Sequence, residues 1–382
     1  MIERSDGEQI ASPIPLSALG NSLLGWQLCR SALCPQVGCA RYDQNLTETT
    51  AMIERNIPQP MINSLQAGRA FAALAVVCYH SLLSAEAFAG PALTLNAIFG
   101  YGYLGVDFFF VLSGFIIYHS TSGRGKSAAV YGESRIRRIF LPYLPIGLAV
   151  ALLYTLGIGG SQHPWGWLAT LTLAPVLPGP ALSVAWTLQH EMVFYAIFGL
   201  LYFTNTLLVG CILWAAAIVG LYLLGIDGGI PLSLLNLEFM MGMCTAILAR
   251  RQWGPTWLYA AAIVPLTLWI ALGASNAHSV LVGASLALLI LPTVQMERAG
   301  RCSVPRYMVF LGAASYAIYL IHNPVLSVMA RVMSRFGPVT MIIVGFAAST
   351  AAGCAYYVLI EKRLMRLPSF ERRKRHHKAA LR

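Results

Sequence analysis

The stretch Tyr101-Gly-Tyr-Leu-Gly-Val-Asp107-Phe-Phe-Phe-Val-Leu-Ser113-Gly114-Phe115 decides the fold class of this chain. It belongs to an apolar run over 98–119 with one carboxylate, Asp107, near its middle. A run of roughly 20 apolar residues is what a helix needs to cross the hydrocarbon core of a bilayer. The strict period-two alternation of a membrane strand is missing. Outward from this run the same pattern recurs at 67–85, 139–158, 184–203, 205–225, 232–249, 256–273, 277–293, 307–330 and 338–360. The expected fold is therefore an all-α integral membrane protein, a bundle of about ten transmembrane helices.

Composition points the same way. Of 382 residues, 57% are hydrophobic and 11% charged, whereas soluble domains carry about 25% charged residues. The net charge is +11. In a membrane protein such an excess collects in cytoplasmic loops. With no basic face and no recognisable module, nucleic acid is not expected as a partner. The eight cysteines form no CxxC pair, and no His follows Cys29, Cys34 and Cys39 at zinc-site spacing. No metal is expected, and lone Cys residues in apolar helices act as small hydrophobes.

The loops orient the spans. Arg124, Lys126, Arg135, Arg137 and Arg138 follow the second run, and Arg250 and Arg251 the sixth. Arg298, Arg301 and Arg306 follow the eighth, and a basic tail follows the tenth. All fall after even-numbered runs, which places them on one side, the cytoplasm, together with both termini. Arg331 and Arg335, after the ninth run, depart from the pattern. The loop 159–183, with His163, Trp165 and Trp167, is expected on the outer side. Residues 1–60 are polar and rich in proline. They read as a disordered extension ahead of Met61, of the kind an upstream start codon would append. Residues 61–365 form the membrane domain. Residues 366–382 form a basic cytoplasmic tail suited to anionic lipid headgroups.

Ionisable residues inside membrane spans are costly and usually functional. Here they are Arg69, His80, Asp107, Glu191, Glu238 and His322. Arg69 and His80 lie eleven residues apart, which on a helix is about three turns plus 20° and roughly 16 Å of rise. They share one face, with the cation at the inner end. Arg69 could equally snorkel to headgroups, and Asp107 could simply pair with an Arg or His to hold the bundle. Arg135 and Arg138, at i and i+3, share a face, and guanidinium forks suit phosphate. Glu191 and Tyr195 stand at i and i+4. Tyr316, Tyr319 and Asn323 make a polar stripe with His322 beside it, an arrangement that can also serve as interhelical glue. Gly102, Gly105 and Gly114 would admit a close helix approach.

These blocks occur in a fixed order: Ser64-Leu-Gln-Ala-Gly-Arg69 with His80, Gly105–Gly114, Arg135-Ile-Arg-Arg138, Trp186–Tyr195, Leu311–Pro324, and the terminal Glu361-Lys362. Together they resemble the membrane-bound acyltransferase 3 family, and within it the exopolysaccharide O-acetyltransferases, over residues 61–365. The resemblance implies transfer of an acyl group, usually acetyl, from cytoplasmic acetyl-CoA to a sugar hydroxyl of a surface carbohydrate. It also implies a place in the bacterial inner membrane, a possible link to polysaccharide assembly machinery, and no tightly bound cofactor. The family's Arg-x10-His motif maps onto Arg69 and His80, although Gly68-Arg69 stands where relatives more often carry Arg-Gly. The Arg-x-x-Arg motif maps onto Arg135 and Arg138, expected to contact the donor.

On this reading His80 is catalytic, either as general base or as an acylated intermediate, and Asp107 or Glu191 orients its ring. Arg69, Arg135, Arg138, Tyr316 and His322 are the expected substrate-binding residues, with Arg124, Lys126 and Arg137 adding to donor-phosphate neutralisation. The intramembrane charges taken alone also fit a transporter, but no inverted repeat is visible.

Overall fold

The computed structural model describes residues 61–368, apart from 91–92, 124, 126, 159–162, 276–278 and 334. The expected extension over 1–60 and nearly all of the basic tail lie outside the described residues. Among those described, the chain is helical, and one isolated bridge joins Trp165 to Gly179. The main helices are α1 (Asn63–Ala89), α2 (Gly105–Thr121), α3 (Ala128–Thr155), α4 (Trp186–Phe203) and α5 (Leu207–Leu223). They continue as α6 (Leu235–Arg250), α7 (Ile263–Ala271), α8 (Val280–Arg298), α9 (Arg306–Met333) and α10 (Pro338–Tyr356).

Each of the ten apolar runs thus holds a helix, and among the described residues seven helices are long and apolar enough to cross a membrane: α1 to α4 and α8 to α10, with α2, α4 and α10 extended by flanking helical segments. The expected all-helical bundle is thus present, and seven of the expected ten or so spans have full length. The other three are cut short. α6 has 16 residues and rises about 24 Å, less than a hydrocarbon core of about 30 Å. α7 is separated from a preceding turn, Leu258–Ala261. Pro265 has no N–H to give the carbonyl of Ala261 and crowds it, so the helix breaks there.

Backbone approaches through glycine hold the bundle together. A Cβ on Gly312 of α9 would lie 1.9 Å from the carbonyl oxygen of Gln66 on α1. On α2 and α6, Gly114 faces the Phe239 carbonyl and Gly242 the Val111 carbonyl just as tightly. Small residues give helices this proximity, and with it dispersion contact and alignment of side-chain hydrogen bonds. The contacts also show direction. Gly105 meets Ala72 while Gly68 meets Phe108, so α1 and α2 are antiparallel. Gln66 meets Gly312 while His80 meets His322, so α1 and α9 run parallel.

One end of the bundle gathers the arginines. Arg250 donates to the carbonyl of Ser122 at 3.1 Å, and Arg298 to that of Ala249 at 2.6 Å. At the same end Glu297 accepts from the backbone N–H groups of Asn63 and Ser64, at 2.7 and 2.8 Å. A carboxylate there satisfies two of α1's open donors and complements its dipole. At the opposite end, the connection between α3 and α4 folds back onto the helices. Tyr143 donates to Thr170 O at 2.8 Å and Gln189 to Ala174 O at 2.6 Å.

Candidate active site

Two cavities meet inside the bundle. The first, about 320 Å³, is lined by Arg69, Arg135, Arg138, Glu191, Tyr195 and Tyr316, with Phe109, Phe110 and Met365 among its apolar walls. The second, about 490 Å³, is lined by Tyr79, His80, Tyr103, Asp107, Trp186 and Ser279, together with Ser233 and a group of aliphatic residues. Val106 and Tyr319 stand in the walls of both. A pair of side chains therefore separates a basic chamber from one that presents an imidazole.

In the basic chamber every cation is held. Arg69 reaches across from α1 to Ser315 on α9, Nε to Oγ at 3.0 Å. Arg135 donates to Ser120 Oγ at 2.8 Å, and its guanidinium lies 5.8 and 5.6 Å from the ring centres of Tyr131 and Tyr195. Arg138 sits 5.5 Å over Tyr316 and forms an ion pair at 3.3 Å with Glu361, whose side chain is almost fully buried. Cation–π stacking and ion pairing fix the planar forks while leaving N–H groups to face an anion. The i, i+3 spacing of Arg135 and Arg138 brings both into this one chamber. Arg137 points elsewhere, donating to the carbonyls of Leu367 and Pro368. It ties down the chain after α10 and does not line the chamber. Arg124 and Lys126 lie outside the described residues.

Glu191 also belongs to the basic chamber. It accepts from Ser113 Oγ at 2.9 Å and from the Tyr195 hydroxyl one turn along α4. It therefore faces the arginines. Orientation of His80 by Glu191, one of two options in the sequence reading, is not what the structure shows. Asp107 does share the second chamber with His80, but its carboxyl sits beside Glu238 and Ser279. Glu238 is fully buried at 0% exposure, and sequence reasoning had left it without a role.

The ring of His80 is held by other means. Its Nδ1 is 3.0 Å from the carbonyl oxygen of Val76, one turn back, and 3.3 Å from Nε2 of His322. Tyr79 packs edge-on against the ring at 5.2 Å. His322 is itself fully buried, with Nδ1 2.5 Å from the carbonyl oxygen of Tyr319. It stands behind His80, outside the walls of both chambers. Tyr316 lines the basic chamber and donates to Ile139 O at 3.0 Å. Tyr319, at the partition, shares its hydroxyl with Thr187 at 3.0 Å and Val184 O at 3.1 Å. Ser315 and Glu361, partners of Arg69 and Arg138, appeared in the sequence only as members of quoted blocks. The single available signal was their chemistry inside apolar segments.

A chamber lined by three arginines beside a half-buried imidazole, both inside a bundle of apolar helices, makes a site whose chemistry suits group transfer. A family model described as an acyltransferase domain matches residues 62–358. The chain belongs to this acyltransferase 3 family and is an acyltransferase, which displaces the transporter reading. Among curated proteins it is similar to the exopolysaccharide production protein ExoZ of Rhizobium meliloti (strain 1021). Identity is 29%, covering 70% of this chain and 91% of that protein. No solved structure matches the chain.

Proposed function

We propose that this protein transfers an acetyl group from acetyl-CoA to a hydroxyl of an exopolysaccharide or related cell-surface carbohydrate in the bacterial inner membrane. The observation that carries the reading is the shared partition: three arginines line one chamber, His80 lines the next, and Val106 and Tyr319 wall both. The printed name of the similar Rhizobium protein supports an exopolysaccharide as the acceptor.

The arginine-rich helix ends take the cytoplasmic side under the positive-inside rule. Arg69, Arg135 and Arg138 then bind the phosphates of the donor by charge-assisted hydrogen bonds. The pantetheine arm extends past Val106 and Tyr319, and the thioester reaches the second chamber. There the acceptor hydroxyl donates its proton to His80, and its oxygen attacks the thioester carbonyl. The C–S bond breaks, and the leaving thiolate takes the proton back from His80. Tyr79, Tyr103 and Trp186 offer aromatic faces to a sugar, and Asp107 accepts from its hydroxyls. The polysaccharide assembly machinery presents the acceptor from the outer side.

Mass spectrometry of surface polysaccharide from cells with and without the intact gene tests the reading. Loss of an acetyl ester with the gene, and its return with the wild-type copy but not with His80→Ala, is the expected result. Identical acetylation in all four strains would overturn it.

A further inference from the structure

The geometry points to His322 as a positioning residue that, together with the Val76 carbonyl, holds His80 in its reactive tautomer, resting on the acyl-transfer reading given above. The assignment follows from counting donors. The Tyr319 carbonyl oxygen, 2.5 Å from Nδ1 of His322, can only accept. That nitrogen therefore carries a proton. The Val76 carbonyl oxygen, 3.0 Å from Nδ1 of His80, can likewise only accept, so this nitrogen is protonated too. Nε2 of His322 lies 3.3 Å from the same Nδ1. Were Nε2 also protonated, two N–H groups would point at each other. His322 is thus neutral, with Nε2 as an acceptor, and Nδ1–H of His80 is shared between an imidazole and a carbonyl as a three-centre bond.

The consequence is a lone pair on Nε2 of His80, the atom left to meet the acceptor hydroxyl. In a Ser-His-Asp array a buried carboxylate holds the histidine in this tautomer. Here a backbone carbonyl and a neutral imidazole do so together, the imidazole itself locked by a second backbone carbonyl. Its complete burial gives it no route to substrate, and the tilted rings lie 4.9 Å apart, centre to centre. The arrangement spans two helices, since Val76 and His80 are on α1 and Tyr319 and His322 on α9. Tyr79, Tyr103 and Asp107 are the other ionisable side chains in the chamber that His80 faces.

The test compares His322→Met, which keeps bulk and removes the acceptor, with His322→Gln, whose amide oxygen can take the place of Nε2. Full-length protein in nanodiscs is assayed with acetyl-CoA and chemically deacetylated surface polysaccharide. In parallel, diethyl pyrocarbonate, which acylates unprotonated imidazole nitrogen, is followed at His80 by mass spectrometry. In the methionine variant kcat is expected to fall by up to about tenfold, the worth of one lost hydrogen bond, because the Val76 carbonyl remains as an acceptor. KM for acetyl-CoA should stay unchanged, carbethoxylation of His80 should slow, and the glutamine variant should recover most of both losses. Equal impairment of both variants, a loss confined to KM, or full activity of the methionine variant would overturn the assignment. Wild-type protein that shows the carbethoxylation pattern but transfers no acetyl group would instead overturn the acyl-transfer reading and leave the tautomer standing.

Discussion

Replacing Gly312 with alanine tests whether the site is built by the close approach of α1 and α9. The added Cβ would sit 1.9 Å from the carbonyl oxygen of Gln66 and 2.5 Å from its carbon. Carbon–oxygen contacts begin near ~3.3 Å, so the helices must part by about 1.4 Å, the difference between the two distances. Backbone lies on both sides, and no flexible side chain can turn away. Two links of the site cross this seam beyond Gly312: Arg69 to Ser315 at 3.0 Å and His80 to His322 at 3.3 Å. Either would open past hydrogen-bonding length. A misplacement of about 1 Å costs a reaction roughly 100-fold, and overpacking costs about 1–3 kcal/mol of stability. Gly312→Ala is therefore expected to lower acetyl transfer by about two orders of magnitude, with a modest fall in melting temperature in detergent. Gly132→Ala is the control, because a Cβ there meets nothing within 4 Å. CoA thiol release by purified protein, with polysaccharide acetylation in cells, gives the readout. A Gly312→Ala protein that retains its rate would refute the claim that this seam sets the geometry.

Other outcomes follow from individual contacts. His80→Ala should abolish acetylation while the protein still inserts, as seen by membrane fractionation. Replacing Arg135 by alanine removes one charge-assisted contact to the donor, worth about 1.5–3 kcal/mol. It should raise KM for acetyl-CoA by roughly ten- to a hundredfold, and an unchanged KM would count against a donor site in the basic chamber. Arg138→Ala removes the ion-pair partner of buried Glu361; because the arginine side chain is 35% exposed and Arg69 still acts on Glu361, the cost is expected below the ~3–5 kcal/mol of fully buried pairs. Adding Glu361→Gln should restore much of the lost thermal stability but not donor affinity. If both recover together, Arg138 has no separate role in binding.

Much of the architecture was legible in one dimension. A helix of 20 residues in a bilayer must be apolar nearly throughout, so the runs stand out wherever they occur. Arg135 and Arg138 could be paired because three residues nearly complete a turn, and the same periodicity placed Arg69 and His80 on one face of α1. The full count of spans was less legible. Hydropathy registers apolar residues, whereas helix length depends on where a proline or polar turn interrupts the hydrogen-bond ladder, as Pro265 does before α7.

Partner choice was not legible, because the pairs lie far apart in the chain and no local pattern encodes them. By itself the sequence determined a helical membrane bundle, its basic helix ends and the identity of its buried ionisable groups. Only the tertiary structure decided that Glu191 serves the arginine chamber, that Glu238 stands beside Asp107, and that a histidine rather than a carboxylate backs His80. The physical reason lies in the seams. Which two side chains meet depends on the register between helices, and glycine backbone contacts such as Gly312 on Gln66 set that register across hundreds of residues.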